Sequence, residues 1–308
     1  MISANRNTMS IAEVSKDQFL PEDFSFIAEL AFERAGLMIP KEKAPMVFSR
    51  ISKRVKKLGL GGVSLYCALL KSSPDHPEHQ VLISTLTTNV TSFFREDHHF
   101  KYLEQNIFPK LIDDGKKGKR IRLWSAGCST GQEPYSLAMA LMTAWPDVLK
   151  FDVRILATDI DRQVLAQAQT AEYPGHVVEA LGEDRARKFL IARDGSPPHK
   201  VDEDETYRIA PNIRKLVTVK ELNLMEPWPF HRQFDAIFCR NVVIYFALET
   251  QERLWPMFRD ALLPGGHFFL GHSERIERPE RFDLEPVGHT VFQRCEDLGQ
   301  PSPTPQTK

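Results

Sequence analysis

From Phe19 to Leu70 apolar residues return every three or four positions, as in "FSFIAELAFERAGL" and "MVFSRISKRVKKLGL", the period of helices with one buried face. No strand-like alternation interrupts this stretch, which predicts an all-helical N-terminal domain over 15–80. The polar run "KSSPDHPEHQ" (71–80) carries prolines and breaks the pattern before another helical segment near Val81, so 81–120 reads as a linker and lid segment. From residue 121 short β-rich runs alternate with helical ones: "IRLWSA", "PYSLAMALMTAW", "VRILATDI", "RQVLAQAQTAEY", "KLVTVKELN", "FDAIFCRN", a helix from about Ala247 to Ala261, and "HFFLGHSE". Such alternation predicts a doubly wound α/β domain with a parallel sheet over 121–295. Turn signals around short strands in "ARDGSPPHKVDEDETYRIAPNIRK" predict an inserted β subdomain at about 190–222, and proline-rich "GQPSPTPQTK" predicts a disordered tail over 296–308.

Composition adds limits. A chain of 308 residues with 42% hydrophobic and 26% charged residues is long enough for two domains and is of ordinary globular type. Its net charge of -1 gives no overall affinity for polyanions. Cys67, Cys128, Cys239 and Cys295 are scattered, without a C-x-x-C pair, and read as reduced thiols. The longest apolar runs fall far below the roughly 18 residues of a membrane span, and "MISANRNTMS" has no apolar signal core. A cytoplasmic location without membrane insertion is expected.

Chemistry concentrates where strands end. "LWSAGCSTGQEPYSLAM" places Gly127 and Gly131 between a predicted strand and helix, but it is neither a G-x-G-x-x-G dinucleotide fingerprint nor a G-K-[ST] phosphate loop. Glu133, near the start of that helix, would compete with a phosphate for the positive helix end and suits a ligand bearing positive charge. Asp159 ends the next strand, with Asp161 close behind; an acid there commonly binds ribose hydroxyls. A ribose beside a cationic group points to S-adenosylmethionine, whereas the plainer alternative is that Glu133 and Asp161 cap helices. "FDAIFCRNVVIYF" ends its strand at Arg240 and Asn241, with Tyr245 bordering the same crevice; turn residues and a core tyrosine are the alternatives. In "TTNVTSFFREDHHF", Asn89, Thr91 and Arg95 alternate with apolar residues and are placed to reach the α/β core. His98 and His99 are adjacent, with no spaced carboxylate or cysteine to complete a ligand set, so no metal site is expected.

Together, "TTNVTSFFREDHHF", "LWSAGCSTGQEPYSLAM", "LATDID", "FDAIFCRNVVIYF" and "PGGHFFLGHSE" closely resemble the CheR chemotaxis receptor methyltransferases, in order and over roughly residues 20 to 295. The resemblance implies a helical N-terminal domain, a Rossmann-like S-adenosylmethionine-dependent domain with an inserted β subdomain, and methylation of glutamate side chains on the cytoplasmic helices of chemoreceptors, leaving S-adenosylhomocysteine. It implies cofactor contacts from Asn89, Thr91, Arg95, Glu133, Asp159, Asn223, Leu224, Arg240 and Asn241, with Arg95 and Tyr245 nearest the transferred methyl. Receptor-tethered members resemble one another in a glycine-containing loop that binds a C-terminal pentapeptide; "ARDGSPPHK" offers only Gly195, which leaves tethering unsupported.

A glutamate carboxylate, with a reference pKa of about 4.3, needs no general base at neutral pH. Orientation and exclusion of water then carry the reaction. Arg50, Lys53, Arg54 and Lys57 fall on one helix stripe, beside the apolar Val47, Ile51, Val55 and Leu58, and would attract a glutamate-rich helix; a solvated face is the plainer alternative. Methylation of another acceptor such as RNA, and a non-catalytic cofactor-sensing role, are the competing functions. Against the first stands "CRNVVIY" in place of an N-P-P-Y type sequence. No heptad announces an interface, so a monomer is expected.

Overall fold

The computed structural model describes residues 19–295, and these form two units divided between Thr87 and Thr88. The expected tail at 296–308, the N-terminal stretch "MISANRNTMS" and the first residues of the expected helical domain lie outside the described residues.

The first unit is helical: α1 (Pro21–Ala35), α2 (Ala44–Lys57), α3 (Val63–Lys71) and α4 (Glu78–Leu86). Phe24, Ile27, Leu30 and Ala31 of α1 and Val47, Ile51 and Val55 of α2 supply buried faces at helical spacing. Gly36, at φ 67°, ends α1 in the left-handed conformation. The polar stretch 71–80 is a turn inside this unit rather than its end. Leu82, Ile83 and Leu86 bury one face of α4, so helical packing continues to Thr87. His79 fastens the turn through ring nitrogens 2.8 Å from the Pro74 carbonyl and 2.9 Å from that of Leu70.

The basic stripe of α2 is divided by its partners. Arg50 donates to the Leu86 and Thr87 carbonyls at 2.7 and 3.0 Å. Arg54 forms a two-pronged pair with Glu78, itself buried at the start of α4, with Nε 2.9 Å from Oε2. Both arginines therefore tie α2 to α4, while Lys53 and Lys57 are exposed.

The second unit opens with α5 (Asp97–Tyr102), which passes through a wider π turn (Leu103–Ile107) into α6 (Phe108–Lys116). Pro109 lacks the N–H a regular turn would use, which accounts for the local widening. Phe100, Leu103, Phe108 and Leu111 are buried in the same core as the sheet, so this part of 81–120 is built into the α/β unit rather than linking to it.

Then follow β1 (Ile121–Ala126), α7 (Gln132–Ala144), β2 (Val153–Asp159), α8 (Arg162–Thr170), β3 (Glu172–Pro174), α9 (Gly175–Val178), α10 (Gly182–Phe189), β4 (Leu190–Ile191), β5 (Thr206–Ile209), α11 (Pro211–Arg214), β6 (Val217–Glu221), β7 (Phe234–Cys239), α12 (Leu248–Ala261), β8 (Leu262–Leu270), β9 (Leu284–Gly288) and β10 (Val291–Arg294). The main sheet has seven strands in the order β6-β2-β1-β7-β8-β10-β9. The first five are parallel neighbours, and the β9–β10 edge is antiparallel, an addition to the expected parallel sheet. The order turns at β1, with β2 on one side and β7 on the other, so the ligand crevice of such a sheet lies beyond the carboxyl ends of β1 and β7.

The inserted subdomain differs from its expected bounds. Its three strands run β3-β5-β4, so it begins at Glu172, while Val217–Glu221 pairs with β2 in the main sheet. Short β3 lacks the alternation that would mark it in sequence. Tyr173 of β3 is buried and donates to the Thr130 carbonyl at 2.7 Å, fixing the subdomain against the glycine turn.

Candidate functional site

The glycine turn leaves β1 through backbone of alternating hand: Gly127 at φ 80°, Ser129 at φ 50° and Gly131 at φ 97°. A Cβ on Gly127 would stand 2.4 Å from Val242 Cγ2, so glycine lets the turn after β1 lie against the loop after β7. This geometry turns the Ser129 N–H onto Asp159 Oδ2 at 2.8 Å, while the Asp161 N–H donates to Oδ1 at 2.9 Å. Burial pushes the Asp159 carboxyl up, and these backbone donors oppose the rise. Asp161 caps α8 by accepting from the Gln163 N–H at 2.8 Å, and its other oxygen accepts from Asn89 Nδ2 at 2.8 Å. The capping alternative is thus realised at Asp161, which also holds the leading segment.

That segment lies along the strand ends. Ser129 Oγ donates to the Asn89 carbonyl at 2.8 Å, and the Phe94 N–H donates to Ser136 Oγ at 2.9 Å. Thr91 is half-buried, and Arg95, a third exposed along its side chain, donates to the Val90 carbonyl at 3.1 Å.

A buried ion cluster joins three segments. Arg240, its side chain 2% exposed, extends from the end of β7 with Nη1 3.1 Å from Glu133 Oε2 and Nη2 3.2 Å from Glu96 Oε2. It also donates to the Arg95 carbonyl. Ser125 Oγ donates to Glu133 Oε1 at 2.7 Å. Burial pushes the Glu133 carboxyl up, against the pull of Arg240 and Ser125. Burial would also raise Glu96, but Arg240 and His272 together hold it down to about 2. Glu133 therefore does not face a ligand as a bare carboxylate. With both acids ionised, two carboxylates share one guanidinium, and the cluster retains one negative charge for a cationic neighbour.

Asn241 follows Arg240 in the left-handed region, at φ 60°, and its Nδ2 donates to Glu96 Oε1 at 3.3 Å. Tyr245, half-buried, closes the short turn Val243–Tyr245. Asn223 and Leu224 follow β6, which lies beyond β2 from the switch point. The Leu222 N–H reaches the Asp159 carbonyl at 3.0 Å, which brings this pair to the Asp159 side of the crevice. Asn223 Oδ1 accepts from the Met225 N–H at 3.0 Å, and Leu224 is buried.

Glu96, Ser125 and Glu274 were not singled out in the sequence. Glu96 also corrects the view that no carboxylate accompanies the histidines: ligand atoms of Glu96, His98 and His99 lie within 4.8 Å of one another. Arg240 already occupies Glu96 Oε2, and its charge opposes a cation there. Burial, Arg240 and His98 hold the His99 imidazole down to about 3.

Residues 89–291, which contain this whole arrangement, match the family described as CheR methyltransferase, SAM binding domain. The chain belongs to the CheR methyltransferase family. Residues 22–87 match the CheR methyltransferase all-alpha domain. The chain is 38% identical over 263 residues to the probable chemotaxis protein methyltransferase of Rhizobium etli, covering 85% of this chain and 96% of that protein. It is 37% identical over 274 residues to chemotaxis protein methyltransferase 2 of Pseudomonas aeruginosa, with 88% and 92% covered. With the chemotaxis protein methyltransferase of Escherichia coli it shares 35% over 277 residues, covering 89% and 91%.

The α/β unit of this CheR member binds S-adenosylmethionine. The crevice fits that molecule: a buried acid at the end of β2 suits hydroxyl donors, and the two acids around Arg240 suit a sulfonium and an amino group. Among the described residues no helix is long and apolar enough to cross a membrane.

Proposed function

We propose that this protein methylates glutamate side-chain carboxylates on cytoplasmic helices of chemoreceptors. The observation that carries this reading is the convergence of segments 89–96, 125–133, 159–161 and 240–241 on one hydrogen-bonded crevice. The names of its relatives add the chemotactic setting.

In this reading Asp159 receives ribose hydroxyls, with Asn223 and Leu224 beside it toward the base. The Glu96–Arg240–Glu133 cluster balances the cationic end, and Asn89, Thr91, Arg95 and Asn241 complete the enclosure. When bound, S-adenosylmethionine supplies an electrophilic methyl on a sulfonium, which leaves as a neutral thioether. Arg95 and Tyr245 border the acceptor: the guanidinium draws in a carboxylate, and the phenol limits its approach. A carboxylate acceptor is already ionised at neutral pH, so the residues need move no proton. Orientation alone can contribute on the order of 7–11 kcal/mol to such a transfer. Lys53 and Lys57, the exposed half of the α2 stripe, attract acidic receptor helices.

Transfer of labelled methyl from S-adenosylmethionine to membranes rich in chemoreceptor tests the proposal. Label released as methanol by mild alkali is expected, because a glutamate methyl ester hydrolyses there. Alkali-stable label, or none while calorimetry shows cofactor binding, would require another acceptor.

A further inference from the structure

Glu274 is buried and lies at the end of "GHSE". Its carboxylate accepts backbone N–H groups from two sides. Oε2 takes those of Gly271 at 2.6 Å and Asn241 at 2.8 Å, and Oε1 takes those of Val242 at 2.8 Å and Ile244 at 3.2 Å. The segment it holds has no sheet or long helix to satisfy its donors, and Asn241 stands in the left-handed region. This same segment carries Asn241 and Tyr245.

We propose that Glu274 is a positioning residue for methyl transfer, holding the loop after β7 so that Asn241 and Tyr245 keep their places in the crevice. The proposal rests on the reading above, in which that loop borders the acceptor. Close packing beside the same carboxylate supports it: a Cβ on Gly271 would stand 2.5 Å from Asn241 Nδ2 and 2.8 Å from its backbone nitrogen. Glycine at 271 and the carboxylate at 274 thus define one seat for Asn241. Both carboxylate oxygens are engaged by donors, so an amide at 274 would turn an NH2 toward one pair of N–H groups. Misplacement of reacting groups by about 1 Å can cost on the order of 100-fold in rate.

The test uses full-length protein with Glu274→Gln, Glu274→Asp and Gly271→Ala, each assayed well below its own melting temperature. Labelled transfer to receptor membranes gives kcat and KM, and calorimetry gives S-adenosylhomocysteine affinity. Glu274→Gln is expected to lower kcat by about 10-fold or more and to weaken S-adenosylhomocysteine binding as Asn241 shifts, and Glu274→Asp to recover part of both. Gly271→Ala should act in the same direction. Fully folded Glu274→Gln with parental kcat would overturn the proposal. Hydrogen exchange of the unaltered protein provides a check that needs no variant: the amides of Asn241, Val242 and Ile244 should exchange slowly, and free exchange would overturn the seat. Tyr245→Phe and Asn241→Ala serve as controls, because unimpaired transfer in both would instead remove the underlying reading of the loop.

Discussion

The Arg240 guanidinium lies 3.1 Å from the Glu133 carboxylate across 107 residues of chain, linking the carboxyl end of β7 to the first turn of α7. Both side chains are nearly enclosed, at 2% and 12% exposure. Breaking such a pair from one side leaves a buried charge without compensation, which costs about 3–5 kcal/mol. Arg240→Met should therefore lower stability by about that much in urea unfolding, and Glu133→Gln in the same chain should return part of it. Additive losses in the double variant would show that the two residues are not coupled.

The cluster also sets an acid response. Glu96 is held down to about 2, below the ordinary carboxylate value, so its contribution is present above about pH 4.3 and is lost as pH falls toward 2. His99, held down to about 3, takes up a proton more readily when unfolded, so its contribution is complete above about pH 6.5 and declines toward pH 3. Each proton contributes a slope of about 1.4 kcal/mol per pH unit. Relative to the parent protein, His99→Gln should flatten unfolding stability between about pH 6.5 and 4.5, and Glu96→Gln should flatten it only below that. Unchanged slopes in either variant would contradict the assignment.

Much of the site was legible because local pattern carries it. The strand ends, Gly127, Asp159, Arg240 and Asn241 follow from where β-rich runs stop and turn residues begin. The partners of these residues were not legible. Nothing near Arg240 in sequence indicates Glu96 or Glu133, and nothing in "GHSE" indicates that Glu274 collects N–H groups from 241–244. Helical spacing likewise placed Arg50 and Arg54 on a stripe with Lys53 and Lys57, but the length of an arginine side chain lets it reach a neighbouring helix, which spacing does not reveal. The subdomain was placed too far along because three-residue β3 has no period to read.

Gly127 offers a steric test of the crevice. At φ 80° with Val242 Cγ2 only 2.4 Å from an added Cβ, Gly127→Ala meets both backbone strain and a clash. It should lower cofactor affinity by about 10-fold or more and reduce the melting temperature. Adding Val242→Ala removes the clash but not the left-handed backbone, whose cost is about 1–2 kcal/mol. The double variant should thus recover only partly in calorimetry. Full recovery would mean that the turn tolerates a side chain and that only contact with Val242 matters.

The helical unit separates a structural cation from a docking one on a single helix. Arg54 hydrogen-bonds to Glu78, which is 7% exposed and whose carboxyl is held below its usual range by that bond. Arg54→Ala leaves the Glu78 carboxylate short of its main donor and should destabilise the unit by about 1–3 kcal/mol. A loss of receptor methylation in that variant would therefore say nothing about docking. Lys53 and Lys57 are exposed on the same helix, and substitution there should alter stability by less than about 0.5 kcal/mol. Lys53→Glu with Lys57→Glu should slow labelled methyl transfer to receptor membranes, most strongly at low salt, while leaving cofactor affinity and unfolding unchanged. Equal transfer rates at low and high salt would place receptor docking on another face.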